Sequence, residues 1–581
     1  MQSPETYRNP VLRGFNPDPS IVRVGDWYYL ATSSFQYFPA IPIYRSADLV
    51  EWEPIGHAID RDEQLDLRGI EDSHGIWAPD LSFHDGRFHL FATLRLNGAA
   101  GEAPSRLIRR QMVMTAERAE GPWSDPVFID IDGIDPSLFV DDDGSSWMLL
   151  EPGVRLFPLS ADRTRVTGAG RTIWAGTGAR CPEGPRMLKR NGWYYAMLAE
   201  GGTGYGHRIN VARSRSLSGP YEECPRNPLL MQTDPAAPLQ RAGHGQLVGT
   251  AADEWWCVYL CGRPNGGNFT TLGRETALDP VEWTEDGWFT INGGHGPSAV
   301  QRRPALPRPP AAAGGTGAAG GTGAAGGTGA AGGSPDAAPD AAPKAMAIDR
   351  FPGTELNRTW MWARNPRPHS WRMDAAGGGL ILLAGNEGLA SIHIDNLLLR
   401  RETEFDYEAT CVLRFDPLDA REEAGLVAYI GFANWVSCCL SRREDGSPLG
   451  GEHVIRLTEC RNGERTVIAQ LAVLAQAPVF HNLRDTGVEL KTTVRGQRRD
   501  FEWRSAHGGG AADGAAAATA ATNGAGSAWQ PVGEVPDARF LSGEEVKVGK
   551  SHTGTLVGLY ATNGGTGRRA QALFGEFAYR T

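Results

Sequence analysis

The chain has 581 residues, 41% of them hydrophobic and 22% charged, which is long enough for two or more globular domains. Its 57 basic and 68 acidic side chains leave a net charge of −11 without any Lys/Arg-rich run, which argues against a nucleic-acid partner. No apolar run reaches the length of about 18 residues that would span a bilayer, and no secretory signal is visible. We therefore expect a cytoplasmic protein that does not associate with membranes.

A similar phrase recurs along the first 300 residues, in which a polar residue is followed by apolar residues, a Gly/Asp/Asn turn and an aromatic run. The five phrases begin at Asp18, Asp80, Asp135, Glu183 and His244. Each reads as a β-hairpin, and their spacing of roughly 50 to 60 residues is typical of propeller blades. Since the innermost strands of a propeller converge on one axis, the leading polar side chains are expected to lie close together.

The rest of the chain divides into a linker and a second domain. Residues 304–345 are rich in Pro, Gly and Ala and predict a flexible linker between a propeller at 1–303 and a domain at 346–581. Alternating stretches such as 488–503 predict paired strands, and two facing sheets would bury such half-apolar strands in a sandwich. The Ala/Gly stretch 508–528 is interpreted as an insertion between strands. The eight cysteines have no metal-ligand spacing, so free thiols are expected.

The leading residues of the phrases suggest acid–base chemistry. Carboxylates gathered in one pocket cannot all stay ionised, so at least one pKa should rise, as glycoside hydrolysis requires. Glu183 has the longer side chain and is the natural proton donor, Asp18 would be the base, and Asp135 would tune and orient the donor. A structural role is favoured for Asp80. Carboxylates also suit Ca²⁺, so a calcium ion near the propeller axis is left open, although no calcium-loop spacing is present and no cofactor is required.

Six motifs occur in an order and spacing that resemble glycoside hydrolase family 43, and most closely its β-xylosidase branch. They are Gly14-Phe-Asn-Pro-Asp-Pro-Ser, Gly75-Ile-Trp-Ala-Pro-Asp, Ile134-Asp-Pro-Ser-Leu-Phe, Glu183-Gly-Pro, Gly243-His-Gly and Leu272-Gly-Arg-Glu-Thr. The resemblance implies an all-β chain, in which a five-bladed β-propeller is followed by a concanavalin-like β-sandwich. It also implies an inverting mechanism with Asp18 as general base, Glu183 as general acid and Asp135 as pKa modulator.

The resemblance further implies a set of substrate-binding residues around these carboxylates. Arg274 would bind sugar hydroxyls and the carboxylate cluster, and Trp77 and Phe35 would wall the sugar subsite. His244 would contact a carboxylate and substrate, or a bound ion or water. The chain departs from the family where Arg186 follows Glu-Gly-Pro in place of the frequent histidine, so the hydrogen bonding near the acid is expected to differ.

The function implied is that of an exo-acting glycosidase that removes xylose from the non-reducing ends of β-1,4-xylo-oligosaccharides. The nearest alternative is an α-L-arabinofuranosidase, or an enzyme with both activities, because the two sugars present similar hydroxyls near the scissile bond. A non-catalytic carbohydrate-binding propeller is a third interpretation, although the chain retains all three carboxylates and the arginine. Assembly into a homo-oligomer is suggested by analogy only.

Overall fold

The computed structural model describes residues 5–98, 108–307, 346–374, 378–444, 451–473, 487–506 and 528–581. In these ranges the regular structure is β-strand apart from two short 3₁₀-helices, Asn292–Gly294 and Arg539–Leu541. No helix of the described residues is long and apolar enough to cross a membrane. The prediction of an all-β chain is confirmed.

Five antiparallel sheets, each built from consecutive strands, form the blades of the first domain. The first blade contains β2 (Ser20–Val24), β3 (Trp27–Ala31), β4 (Ala40–Ser46) and β5 (Glu53–Ile59), after a short β1 (Thr6–Arg8). The second contains β6 (Gly75–His84), β7 (Arg87–Arg95), β8 (Arg109–Ala116) and β9 (Val127–Ile129). The third contains β10 (Ser137–Val140), β11 (Ser146–Leu150), β12 (Val154–Pro158) and β13 (Arg171–Trp174).

The fourth blade contains β14 (Glu183–Arg190), β15 (Trp193–Glu200), β16 (Arg208–Ser214), β17 (Glu222–Glu223) and β18 (Leu230–Met231). The fifth contains β19 (Gln240–Gly249), β20 (Trp255–Gly262), β21 (Glu275–Trp283) and β22 (Phe289–Ile291). Strand β23 (Val300–Arg302) returns to pair with β1, so the two ends of the domain are joined. The five-bladed propeller is therefore confirmed.

Side-chain hydrogen bonds connect neighbouring blades at their first strands, β2, β6, β10, β14 and β19. Ser20 Oγ donates to Gln246 Oε1 at 2.8 Å, and the Leu81 amide donates to Ser20 Oγ at 2.8 Å, so Ser20 joins the fifth, first and second blades. Ser137 Oγ donates to the Pro185 carbonyl at 2.6 Å, which joins the third blade to the fourth. These polar residues follow the leading residue of each phrase, and they fix the positions of the strands that carry the site.

The second domain is a sandwich of two antiparallel sheets. Its strands are β24 (Met346–Asp349), β25 (Met361–Trp362), β26 (Trp371–Met373), β27 (Leu380–Leu383), β28 (Leu397–Arg401), β29 (Asp406–Arg414), β30 (Glu423–Gly431), β31 (Asn434–Arg442), β32 (His453–Arg461), β33 (Glu464–Ala472), β34 (Gly487–Arg495), β35 (Arg498–Ala506), β36 (Gln530–Val535), β37 (Leu556–Thr562) and β38 (Gln571–Arg580). One sheet has the order β25-β28-β37-β30-β31-β32-β33, and the other has β26-β27-β38-β29-β34-β35-β36 with β24 beside β38. The concanavalin-like sandwich is confirmed, and the predicted hairpin in 488–503 corresponds to β34 and β35.

The two domains share buried contacts. Arg364 of the sandwich forms an ion pair of 2.8 Å with Asp72 of the propeller, and both side chains are almost fully buried. The Phe432 amide donates to the same carboxylate at 2.7 Å, and the Thr555 amide donates to the Thr271 carbonyl at 2.8 Å. A charged pair buried from water is costly to break, so these contacts hold the sandwich in one position against the propeller.

Two of the predicted segments lie largely outside the described residues. Of the predicted linker at 304–345, residues 308–345 lie outside the described residues, and so do residues 508–527 of the predicted insertion at 508–528. The domain boundaries stay a prediction. All eight cysteines are described as free thiols, seven of them buried and Cys181 exposed, as expected.

Candidate active site

One small cavity of about 100 Å³ lies where the blades converge and where the sandwich meets the propeller. It is lined by all seven residues proposed from the sequence, which are Asp18, Phe35, Trp77, Asp135, Glu183, His244 and Arg274. The sequence analysis did not propose five further lining residues, which are Ala78, Ile134, Thr203, His207 and His552. The structure brings the proposed residues together, whereas their catalytic roles stay predictions.

The backbone at this cavity adopts an unusual conformation. Asp18, Asp135 and His244 have φ angles of 55°, 58° and 45°, in the left-handed region that residues with a side chain rarely occupy. Such strain costs on the order of 1–3 kcal/mol per residue and is typical of functional sites. Gly184, directly after Glu183, also has a positive φ, and a Cβ atom there would stand 2.7 Å from the His244 ring. Glycine is therefore required for the acid and the histidine to approach each other.

Asp18 is surrounded by donors of hydrogen bonds and positive charge. Ser33 Oγ donates to Asp18 Oδ2 at 2.7 Å, and Arg274 Nη1 donates to Asp18 Oδ1 at 2.9 Å. His244 Nδ1 lies 3.5 Å from the same Oδ1. Burial acts to raise the pKa of this carboxyl, but Arg274, His244 and the Ser33 hydroxyl outweigh it and hold the pKa below its ordinary value. Asp18 is therefore ionised at neutral pH.

Asp135 and Glu183 have the opposite electrostatic environment. The Gly184 amide donates to Asp135 Oδ2 at 2.9 Å, which ties the two acidic segments together. Burial, followed by the charges of Glu183 and Asp18, raises the pKa of Asp135 well above its ordinary value. Burial and the charge of Asp18 raise the pKa of Glu183 to about 7. The cavity therefore combines an ionised carboxylate with carboxyl groups that retain a proton near neutrality.

Rings form one wall of the cavity. The ring centroids of Phe35 and Trp77 are 6.3 Å apart, and each lies 6.1 Å from the imidazole of His552. Trp77 Nε1 donates to the Ser73 carbonyl at 2.8 Å, which fixes the orientation of the indole. Such rings provide a rigid apolar surface beside the polar carboxylates, a combination that suits the two faces of a sugar ring.

His552 reaches this cavity from the second domain. Two hydrogen bonds fix the backbone of His552. Its amide donates to Ser73 Oγ at 2.8 Å, and its carbonyl accepts from Arg274 Nη2 at 3.2 Å. Gly554, two residues later, packs so closely on the propeller that a Cβ atom would overlap the Leu272 carbonyl oxygen. No repeated phrase marks residues 550–554, so only the packing of the two domains reveals this contribution.

The three histidines of the cavity are uncharged near neutral pH. Burial lowers the pKa of His244 to about 3 and the pKa values of His207 and His552 to about 4. Among the lining residues, Arg274 is therefore the permanent positive charge, and it acts directly on Asp18. His207 was missed because it lies in the connection between β15 and β16 of the fourth blade, away from any leading position of a phrase.

Asp80 does not line the cavity and has the structural role expected of it. Its Oδ1 lies 2.6 Å from Arg186 Nη1, and its Oδ2 accepts the Leu138 amide at 2.9 Å, with both charged side chains buried. The departure from the family at Arg186 is thus explained by an ion pair that ties the second blade to the fourth. Arg186 also lies near enough to His244 to lower its pKa.

The calcium ion that the sequence left open near the axis stays a prediction. The described part of the chain contains no group of three or more His, Cys, Asp or Glu side chains placed to hold a metal ion. Both oxygens of Asp80 are occupied by donors, and the Arg186 guanidinium would repel a neighbouring cation. The guanidinium group of Arg186 is therefore the positive charge that neutralises Asp80.

The chain matches two protein-family models. Residues 7–289 match glycosyl hydrolases family 43, and residues 348–580 match the β-xylosidase C-terminal concanavalin A-like domain. A xylosidase/arabinosidase of Humicola insolens is 35% identical over 595 residues, covering 99% of this chain and 97% of that protein.

Two solved structures extend over the same length. The structure of a family 43 protein of Bacillus licheniformis is 46% identical with a TM-score of 0.84, and the match covers 99% of each chain. The structure of a xylan β-1,4-xylosidase of Bacillus halodurans is 32% identical with a TM-score of 0.82, and the match covers 99% of this chain and 100% of that one. The chain therefore belongs to glycosyl hydrolase family 43, and it is a glycoside hydrolase with the concanavalin-like domain of β-xylosidases.

Proposed function

We propose that the chain is an inverting exo-glycosidase that releases xylose from the non-reducing ends of β-1,4-xylo-oligosaccharides. The observation that carries the proposal is the division of protons among the carboxyl groups. Arg274 keeps Asp18 ionised, whereas burial raises the pKa of Glu183 to about 7, so that Glu183 keeps its proton below that pH. Hydrolysis of a glycoside with inversion needs one ionised base and one protonated acid in the same pocket.

In the proposed reaction, Asp18 takes a proton from a water molecule whose oxygen forms a bond to the anomeric carbon. The bond from that carbon to the glycosidic oxygen breaks on the opposite face, and Glu183 transfers its proton to the departing oxygen. The water oxygen ends on the face opposite the leaving group, so the product has the inverted anomeric configuration. Arg274 holds the Asp18 carboxylate and is close enough to bind a substrate hydroxyl.

The shape of the cavity supports cleavage at chain ends. Its volume of about 100 Å³ is well below the roughly 300–1,000 Å³ of sites for larger ligands. The sandwich closes part of its border with His552, next to Phe35 and Trp77. A cavity of this size suits one terminal sugar. The names of the Bacillus halodurans and Humicola insolens relatives support xylose as that sugar.

The second candidate is α-L-arabinofuranosidase activity, alone or combined with the first, because the Humicola insolens relative is named for both. Turnover of aryl β-D-xylopyranoside and aryl α-L-arabinofuranoside by the purified chain separates the candidates. We expect the xyloside to be hydrolysed faster, and Asp18→Asn to abolish its turnover. A preference for the arabinofuranoside would favour the second candidate.

The stereochemistry of the reaction is tested by following the anomeric proton of the first sugar released, by NMR, before mutarotation. We expect α-xylose from a β-xyloside. Release of β-xylose would contradict the roles given to Asp18 and Glu183.

A further inference from the structure

A second and larger cavity, of about 810 Å³, lies on the sandwich domain. Its lining comes from five neighbouring strands of the seven-stranded sheet, with Tyr560 on β37, Glu423 on β30, Trp435 on β31, Arg456 on β32 and Arg465 on β33. All its lining residues belong to the sandwich, so it is a separate site from the one between the domains. The volume lies within the roughly 300–1,000 Å³ of small-molecule sites.

A carboxylate and two guanidinium groups face each other in this cavity without close contact. Glu423 Oε2 lies 3.6 Å from Arg456 Nη1 and 3.7 Å from Arg465 Nη2. Hydrogen bonds between such groups usually measure about 2.7–3.2 Å, so both separations exceed a direct bond. The three groups are therefore attracted to one another without direct hydrogen bonds, so they keep donor and acceptor capacity for hydroxyl groups of a ligand in the cavity.

Other polar atoms of this cavity also lack partners. Arg456 is only 7% exposed, and its Nη atoms donate to the carbonyls of Ala420 and Arg442. Its Nε and the carboxamide oxygen of Gln470 are buried and have no hydrogen-bond partner within the described part of the chain. A buried polar atom without a partner lowers stability, and a ligand group that reached it would supply the missing hydrogen bond.

The charges of the lining cancel. Three guanidinium groups, those of Arg421, Arg456 and Arg465, are matched by the three carboxyl groups of Asp419, Glu423 and Glu444. A cavity with balanced charge does not concentrate ions of either sign, whereas its paired donors and acceptors suit a neutral ligand with many hydroxyl groups. Trp435 and Tyr560 add buried apolar surface to the floor.

We propose that this cavity binds a neutral oligosaccharide of the xylan type, as a second sugar site outside the catalytic pocket. The choice of xylan rests on the proposed function, whereas the preference for a neutral polyhydroxylated chain rests on the cavity itself. Trp435 and Tyr560 belong to the same buried apolar cluster as Phe35, which lines the catalytic cavity. The two cavities are therefore connected through one continuous apolar core.

The proposal is tested by calorimetric titration of the full-length Asp18→Asn variant with xylohexaose. We expect two binding sites per chain, one of which disappears when Arg465→Ala is added. Arg465 suits the test because its side chain is half exposed. When it is removed, the buried Glu423 carboxylate still has Arg456 beside it. Glu423→Gln keeps the shape of the carboxyl group and should weaken the same site by about 10-fold or more, as loss of a charged hydrogen bond predicts.

Arg498→Ala is the matched control, because Arg498 is similarly exposed on β35 of the other sheet and does not line the cavity. It should leave both sites in place, and Arg465→Ala in the otherwise unchanged enzyme should leave turnover of an aryl β-xyloside unchanged. A single site in Asp18→Asn would overturn the proposal, as would a second site that survives both Arg465→Ala and Glu423→Gln. If either result is found while the enzyme with Asp18 intact hydrolyses the aryl xyloside, the proposed function stands and only the second site is lost.

Discussion

The proton donor can be tested by replacing Glu183 with glutamine, which keeps the size of the side chain but removes its acidic proton. The environment raises the pKa of Glu183 from 4.5 to about 7. At pH 7, an ordinary glutamate would be protonated in about 0.3% of molecules, whereas Glu183 is protonated in about half of them. Burial and the charge of Asp18 therefore increase the population of competent acid roughly 150-fold at this pH.

The sign of the pH dependence follows from the raised pKa. Glu183 keeps its proton below about pH 7 and loses it as the pH rises further, so kcat/KM for xylobiose should fall about tenfold per pH unit on the alkaline side. On the acidic side, activity should persist below pH 4, because the pKa of Asp18 is held under its ordinary value of 3.8. The pH profile of the wild-type enzyme measures both limbs.

Glu183→Gln should lower kcat for xylobiose by about 10²–10⁴-fold and remove the alkaline limb. An aryl xyloside with a dinitrophenolate leaving group needs little protonation, so its kcat should fall less than about 10-fold. Glu282→Gln, on the exposed surface of β21, is the matched control and should change neither value. The reasoning is refuted if Glu183→Gln hydrolyses xylobiose within about threefold of the wild-type rate, or if it keeps the alkaline limb.

Three further predictions concern the surroundings of the site. Arg186→Met should lower the free energy of unfolding by about 3–5 kcal/mol in urea denaturation, because it leaves Asp80 buried without its ion pair; a loss below about 1 kcal/mol would contradict this. Gly554→Ala should lower kcat/KM for an aryl xyloside by about 10-fold or more, because the added Cβ would overlap the Leu272 carbonyl and displace His552; an unchanged value would show that His552 is not needed. Dialysis against a chelator should leave turnover unchanged, because the proposed steps use only Asp18, Glu183 and a water molecule, and a loss of activity restored by Ca²⁺ would contradict that.

Much of the catalytic site could be predicted because its residues occupy equivalent positions in a repeated unit. Asp18, Asp135 and Glu183 each introduce the first strand of a blade, and strands that converge on an axis bring their leading residues together whatever their separation in sequence. The aromatic wall and Arg274 followed from the resemblance to a family, since a single Phe, Trp or Arg has no periodicity of its own. Asp80 was separated from the other carboxylates correctly, although its partner Arg186 was not foreseen.

The sequence by itself determined the all-β architecture, the five blades and the chemical types that meet at the axis, because these depend on patterns that repeat within short segments. Only the tertiary structure decided that His552 borders the catalytic cavity, since this depends on how Gly554 packs against Leu272 in another domain. It also decided which carboxyl group is ionised, because the pKa of Asp18 or Glu183 depends on its burial and on the distances to Arg274 and other charges. Contacts between segments far apart in the chain leave no periodic signal, so their positions had to be read from the folded molecule.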